Sequence, residues 1–247
     1  MIIKFLKNKI RDCVFKDLGR FLNNQCERDD FVTNSLKELE SGSRILDAGC
    51  GSQRYRLHCA HLNYKAQDFG KYIADDKSTL AGNDFQTFYA YGPLDYVGNI
   101  WDIAEGDESF DVILCTEVLE HVPYPNETIR EFARLLRDGG RLILTVPSNS
   151  LRHMDPFYYY TGFSDRWFEH FLLENGFVID SLEPIGDYYR FLAVEIDRTA
   201  QAHSLVAKLI LFPAFCFFFF KQRTQKSIDS LCMGYHLLAT RKNRSNL

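Results

Sequence analysis

Three observations predict an α/β fold built on a mostly parallel central sheet. Short apolar runs of strand length alternate with segments of helical period through most of the 247-residue chain. One run, Phe110-Asp111-Val112-Ile113-Leu114-Cys115, has the near-continuous apolar pattern of a strand covered on both faces. The first run, Arg44-Ile45-Leu46-Asp47, passes directly into a glycine turn, Gly49-Cys50-Gly51-Ser52, at the kind of strand end where open α/β sheets receive ligands.

The elements follow in order. Residues 1 to about 40 read as helical, with Phe15, Leu18, Phe21, Leu22, Phe31, Leu36 and Leu39 at helical spacing and a stop at Gly42. Lysines interrupt the apolar stretches of the first nine residues, so an amphipathic helix is expected there rather than a cleaved secretory signal. After the first strand and its turn, Asn63 to Gln67 reads as a second strand ending in Asp68, and Leu94 to Gly98 as a short third. Between them, residues 71 to 95 carry little periodicity and read as a variable connection. The central strand is followed by a helix from Pro125 to Leu136, with Ile129, Phe132, Ala133 and Leu136 on one stripe; Asp138-Gly139-Gly140 is expected to end it. Strands are then predicted at Arg141 to Val146, Phe177 to Leu182 and Tyr235 to Thr240, with a helix at 164 to 175. The expected organisation is a single domain over 1–247, with an N-terminal helical region at 1–40 and a helical, apolar insertion at about 188–230.

Composition sets bounds on function. With 46% apolar and 25% charged residues and a formal net charge of -4, the chain reads as a globular protein without nucleic acid as a partner. The seven cysteines, Cys13, Cys26, Cys50, Cys59, Cys115, Cys216 and Cys232, form no CxxC pair, which points to a reducing cytoplasm and packing roles. No metal site is expected: His58 and His61 share a spacing but lack a third partner nearby.

The glycine turn implies a ligand. Glycines there let the backbone turn sharply and approach a bound molecule, and the amides of the turn and of the next helix can receive an anion or carboxylate. Asp68, at the end of the second strand, can accept both hydroxyls of a ribose. A GxG alone also fits a plain strand-to-helix turn, and one aspartate also fits a surface position; their combination favours the ligand. Arg54 stands where the dinucleotide fingerprint GxGxxG needs its third glycine, and the phosphate loop GxxxxGK[ST] is absent.

Ile45-Leu46-Asp47-Ala48-Gly49-Cys50-Gly51 resembles the first motif of the class I S-adenosylmethionine-dependent methyltransferases. Gly98-Asn99-Ile100-Trp101-Asp102-Ile103, leading into Asp107 to Ile113, resembles the segment that clasps adenine. Thr116-Glu117-Val118-Leu119-Glu120-His121-Val122 is similar to the fourth motif of the type 11, ubiquinone-biosynthesis-like branch, and Leu135 to Leu142 to the helix-turn-strand that follows. The resemblance implies a doubly wound, Rossmann-like sheet, mostly parallel with an antiparallel last strand, and S-adenosyl-L-methionine as cofactor. Carried over, Asp47 orients the glycine turn and helps hold the methionine amino group, Gly49 and Gly51 line the methionine and ribose side, and Asp68 holds the ribose. Asn99 and the backbone of Ile100 contact adenine, and Thr116 sits beside the methionine. Two departures from the family pattern are Gln53, where a third glycine is common, and Asn99, where aspartate is common.

On the acceptor side, His121 at the pocket mouth is the candidate general base, with a pocket-edge structural role as the alternative. His153 and Asp155 lie on the loop after the fifth strand and can meet through one acceptor group, or cap the loop. Tyr158, Tyr159 and Tyr160, with Trp167, can stack on a sugar ring or an apolar acceptor, or fold down as a hydrophobic lid. Residues 156 to 177 loosely resemble methyltransferases of bacterial surface-polysaccharide biosynthesis, which implies a small-molecule, sugar or lipid-linked glycan acceptor. The readings kept beside it are a non-catalytic protein of this fold and an NAD-dependent dehydrogenase. The apolar run 205–220, followed by Lys221, Arg223 and Lys226, reads as a buried helix, a homodimer interface or a patch docking on the inner membrane face of a cytoplasmic protein.

Overall fold

The computed structural model describes residues 18–72 and 90–242; the expectations for the first 17 residues and for most of the connection after Asp68 lie outside the described residues. The chain divides into two compact units, Met1–Phe31 with Ile185–Met233 and Val32–Pro184 with Gly234–Leu247.

The larger unit is a seven-stranded sheet. Its strands are β1 (Arg44–Ala48), β2 (Asn63–Asp68), β3 (Tyr96–Val97), β4 (Phe110–Thr116), β5 (Leu136–Pro147), β6 (Phe177–Ile185) and β7 (Gly234–Arg241), in the order β3-β2-β1-β4-β5-β7-β6. β1 pairs in parallel with β2 and β4, β2 with β3, and β4 with β5, whereas β5 and β7 are antiparallel. The chain therefore starts in mid-sheet, builds outward to β3, and then crosses back to β4. That reversal between β1 and β4 opens a crevice at the carboxyl ends of the two strands. Ile45, Leu46, Ile113, Leu114 and Leu144 are wholly buried, as their unbroken apolar runs require.

Helix α1 (Gln25–Lys37) buries Val32 and Leu36. Helix α2 (Pro125–Leu135) begins with proline at its first turn, where the missing amide costs nothing, and buries Ile129, Phe132 and Leu135 on one stripe. Helix α3 (Asp165–Glu174) is capped by Ser164, whose hydroxyl accepts from the Trp167 amide.

Two local expectations are corrected. Asp138-Gly139-Gly140 does not cap α2: the helix already ends at Leu135, and Leu136 is extended and begins β5. The β4–β5 register jumps from Phe110–Leu136 to Val112–Arg141, so Arg137 to Gly140 bulge out opposite Asp111. A Cβ on Gly140 would stand 2.9 Å from the Arg137 carbonyl oxygen, so the glycine serves the bulge. Second, the glycine turn after β1 opens no α-helix. Amide-to-carbonyl bonds from Gln53 to Cys50, Arg56 to Gln53 and His58 to Tyr55 wind the chain through tight turns into one 3₁₀ turn, Arg56–Cys59.

The smaller unit is helical, with α4 (Tyr188–Gln201), α5 (Leu205–Phe219) and α6 (Gln225–Ser230). Asp187 caps α4 by accepting from the Arg190 amide and also accepts from the Ser227 hydroxyl at 2.6 Å. The Arg190 guanidinium donates to the carbonyls of Arg20 and Phe21 and pairs with Glu27 at 2.7 Å. Helix α5 has no buried residue.

Candidate cofactor site

The crevice is organised by β2. The amides of Gly49 and Cys50 both donate to the Gln67 carbonyl at 2.9 Å, and the Gly49 amide also reaches the Gln67 side-chain oxygen at 3.2 Å. The Gln67 amide nitrogen donates to the Gly98 carbonyl at 2.8 Å, tying the glycine turn to the segment after β3. Gly49 has φ +73°, and a Cβ there would lie 2.6 Å from both methyls of Val118, just beyond β4. Only glycine fits this approach.

Asp68 is 4% exposed. Its two carboxylate oxygens accept from the amides of Gly51 and Gly70, each at 3.0 Å. Burial pushes its pKa up, and hydrogen bonds from the Gly70, Gly51 and Phe69 amides and the Tyr91 hydroxyl oppose the shift. Asp47 is also buried and accepts from the Tyr64 hydroxyl at 2.6 Å. Burial drives its pKa up to about 7, the Tyr64 bond counteracts this, and the Asp68 charge adds to it. The Gln67 carbonyl and side chain hold the glycine turn, while the Asp47 carboxylate is engaged by Tyr64. Gln53 takes the left-handed backbone of the missing glycine, φ 58°, and its side chain donates to the Pro93 carbonyl and accepts from Arg56, each at 2.6 Å.

The segment after β3 is clamped on both sides. The Gly98 amide donates to the Asp68 carbonyl at 3.1 Å. The Glu131 carboxylate of α2 accepts from the Ile103 amide at 2.8 Å, and Arg134 donates to the carbonyls of Glu105 and Ile103. Glu105, hydrogen-bonded by Tyr96 and paired with Arg44, is pulled down to a pKa of about 2. Ile100 has a buried side chain and Asn99 an exposed one, and the Asn99 backbone carbonyl accepts from the Asp102 amide at 3.2 Å.

Thr116 ends β4 opposite Thr145. Beyond it the 3₁₀ turn Leu119–His121 carries His121, whose Nδ1 lies 2.6 Å from the Phe157 carbonyl oxygen. Burial and the nearby His153 push the His121 pKa down to about 4, so the ring is neutral at physiological pH. The His121 and His153 rings meet edge-on at 4.7 Å. His153 and Asp155 do not pair with each other: Asp155 holds Arg152 at 2.6 Å, and His153 Nδ1 contacts the Leu151 carbonyl at 2.8 Å. Tyr158 donates to the Ser150 carbonyl at 2.6 Å with its ring 5.5 Å from His153. The amides of Tyr159 and Tyr160 donate to the Glu120 carbonyl, and both rings remain exposed. Trp167 packs against Phe163, Phe168 and Phe171 beside the core.

Sequence reading missed Gln67, Tyr91 and Glu131. Gln67 and Glu131 sit within patterned elements and Tyr91 in the connection without periodicity, and the partner of each lies far along the chain.

Compared with known proteins, residues 19–186 match the methyltransferase domain family. That is more than half of the chain. The chain belongs to the methyltransferase domain family. This methyltransferase domain is 37% identical over 108 residues to a ubiquinone biosynthesis O-methyltransferase of Xanthomonas oryzae pv. oryzae, covering 43% of this chain and 44% of that protein. It is 32% identical over 120 residues to the 27-O-demethylrifamycin SV methyltransferase of Amycolatopsis mediterranei, covering 44% of this chain and 42% of that protein. The matched region thus spans less than half the length of these curated relatives. Among solved structures, the YcgJ protein of Bacillus subtilis aligns with a TM-score of 0.52 at 14% identity, covering 87% of this chain and 99% of that one. The [4+2]-cyclase SpnF aligns with a TM-score of 0.52 at 20% identity, covering 85% and 80%. These two likenesses establish the fold, and SpnF illustrates that one fold serves different reactions.

S-adenosyl-L-methionine is the cofactor of this family, and the crevice fits it. Asp68, at the end of β2 beside the Gly49–Gly51 turn, presents a carboxylate, the acceptor group a ribose diol requires. Gly49, without a side chain, lets the turn close directly onto Val118 beyond β4. The buried Asp47 supplies a carboxylate for an ammonium group.

Proposed function

We propose that the protein transfers the methyl group of S-adenosylmethionine to a hydroxyl of a small acceptor at a membrane surface. The observation that carries the transfer is the joining of the Gly49–Gly51 turn to Asp68 through the Gly51 amide, in a chain of the methyltransferase family. Asp68 holds the ribose, Asn99 and the Ile100 backbone face adenine, and Thr116 stands beside the methionine. Attack on a sulfonium methyl needs alignment above all, since the leaving group is already good. Two relatives bear O-methyltransfer in their names, which favours oxygen as the acceptor atom. Tyr158, Tyr159 and Tyr160 supply flat faces for a ring-bearing acceptor, a quinol or a sugar alike.

The membrane part rests on α5. Apart from Lys208 the helix is apolar; Phe219 packs on Phe21 and Phe218 on Tyr189, yet none of its residues is buried, and Leu205, Val206, Leu209, Ile210, Phe212 and Phe217 are each more than half exposed. No Asp or Glu occurs between Thr199 and Ile228, whereas Lys208, Lys221, Arg223 and Lys226 do. Two copies meeting through such a face would bring like charges together, while an anionic lipid surface complements them. At 15 residues α5 is about 22 Å long, short of the roughly 30 Å hydrocarbon core, so it lies along the surface. No helix among the described residues is long and apolar enough to cross a membrane.

The test is S-adenosylhomocysteine binding by calorimetry, followed by methyl transfer from labelled cofactor to a panel of quinols, phenols and sugars. Binding with transfer to a hydroxyl is expected. Binding without transfer to any acceptor leaves a cofactor-fold binding protein, and absence of binding removes the reading altogether.

A further inference from the structure

Beside the cofactor crevice, three ligand-type side chains converge that were expected to carry no metal. Glu120 and His121 come from the 3₁₀ turn after β4, and His153 from the loop after β5. One ligand atom from each lies within 4.8 Å of the others. Glu120 is 1% exposed, and its Oε1 stands 3.7 Å from His121 Nε2.

The tautomers are decided by the partners. His121 Nδ1 faces the Phe157 carbonyl oxygen at 2.6 Å and His153 Nδ1 faces the Leu151 carbonyl oxygen at 2.8 Å. A carbonyl oxygen only accepts, so each Nδ1 carries the proton and each Nε2 presents a lone pair. A ring nitrogen bonded to a backbone carbonyl is the arrangement that orients a metal-binding histidine and strengthens it as a ligand. We infer that Glu120, His121 and His153 form a binding site for a divalent first-row transition ion of the zinc class. Two imidazoles and one carboxylate are a catalytic-type ligand set, leaving coordination positions for a substrate oxygen. Ligands about 2.1 Å from such an ion sit roughly 3.4 Å apart, so the widest separation in the trio must close by about 1.4 Å. His153 belongs to an irregular loop and can supply this movement.

The site deepens the proposed O-methyl transfer and, in its catalytic part, rests on it. An ion there would hold the acceptor hydroxyl and lower its pKa, so that its proton passes to water. The oxygen lone pair then forms the new C–O bond to the sulfonium methyl as the C–S bond breaks, and S-adenosylhomocysteine leaves neutral.

Cobalt(II) is the probe, added to the chelator-stripped full chain and followed by its visible absorption. One equivalent is expected to bind, with the band intensity of four- or five-coordinate cobalt, and zinc is expected to displace it. His153→Ala, on the loop, should weaken binding at least tenfold while leaving thermal stability and S-adenosylhomocysteine affinity near wild type. Glu120→Gln should do the same to binding, at greater risk to folding. Absence of the band, or binding unchanged in His153→Ala, overturns the site. Cofactor binding without cobalt binding would sink this site alone. Cobalt binding at His153 without methyl transfer would sink the proposed reaction and leave the site standing.

Discussion

The Asp68 carboxylate accepts the amide hydrogen of Gly51 at 3.0 Å, joining the ends of β2 and β1 across the crevice. The same carboxylate is assigned to the ribose, so Asp68→Ala should weaken S-adenosylhomocysteine binding by about 1.5 to 3 kcal/mol, the range for hydrogen bonds to a charged group. The variant should also lower the melting temperature of the ligand-free protein, because the Gly51 and Gly70 amides lose their acceptor. An unchanged calorimetric dissociation constant would remove Asp68 from the site.

Asp47 gives a pH signature. Its pKa is raised in the folded state to about 7, above its unfolded value, chiefly by burial. A carboxyl group raised in this way binds its proton more tightly when folded. Its contribution is therefore fully present below the unfolded pKa near 4 and is lost as pH rises through about 7. The ligand-free protein should lose stability across that window, and Asp47→Asn should flatten the profile in denaturant titrations. Tyr64→Phe removes the hydrogen bond that lowers the Asp47 pKa and should move the upper end of the window to higher pH. A slope identical in wild type and Asp47→Asn would place the titrating group elsewhere.

Gly49→Ala tests the close approach of the glycine turn after β1 to Val118. The new methyl would stand 2.6 Å from two side-chain carbons at a φ of +73°. Together, strain and overpacking should cost about 1 to 3 kcal/mol. Val118→Ala in the same chain should recover the packing part while leaving the backbone part. Full recovery in the double variant would mean that φ contributes nothing.

Docking through α5 should appear as co-sedimentation with vesicles containing phosphatidylserine, weakened several-fold by raising salt from 0.05 to about 0.5 M as the surface potential is screened. Ile210 and Phe217 are both more than half exposed. Ile210→Ser with Phe217→Ser should abolish pelleting without lowering the melting temperature. A wild-type chain that stays in the supernatant and sediments as a dimer in the ultracentrifuge would assign the face to a second copy.

Glu131→Ala should loosen the segment after β3. Its carboxylate holds the Ile103 amide and Arg134 together, and Arg134 in turn holds the carbonyls of Ile103 and Glu105. A loss of about 1.5 to 3 kcal/mol is expected, with faster amide exchange at Ile103. Exchange at Ile103 equal to wild type would show that the clamp is dispensable.

What the sequence by itself determined is local. The apolar runs of β1, β4 and β5, the glycine turn, and Asp68 at the end of β2 were legible because strand period and turn chemistry are written in adjacent residues. Even there, Asp138-Gly139-Gly140 misled: paired glycines mark a bend in either setting, and only the β4–β5 register decided for a bulge over a helix cap. The tertiary structure chose the partners. Sequence proximity suggested His153 with Asp155, whereas folding placed His153 against His121 and left Asp155 to Arg152. It assigned the glycine turn to Gln67 and put Glu120 within reach of two imidazoles. It also left α5 without a buried residue, where composition alone fitted a core helix equally well. The physical reason is the same in each case. A side chain's chemistry is intrinsic, but its hydrogen bonds and burial depend on which distant segments meet at one sheet edge, and that is a property of the whole packing.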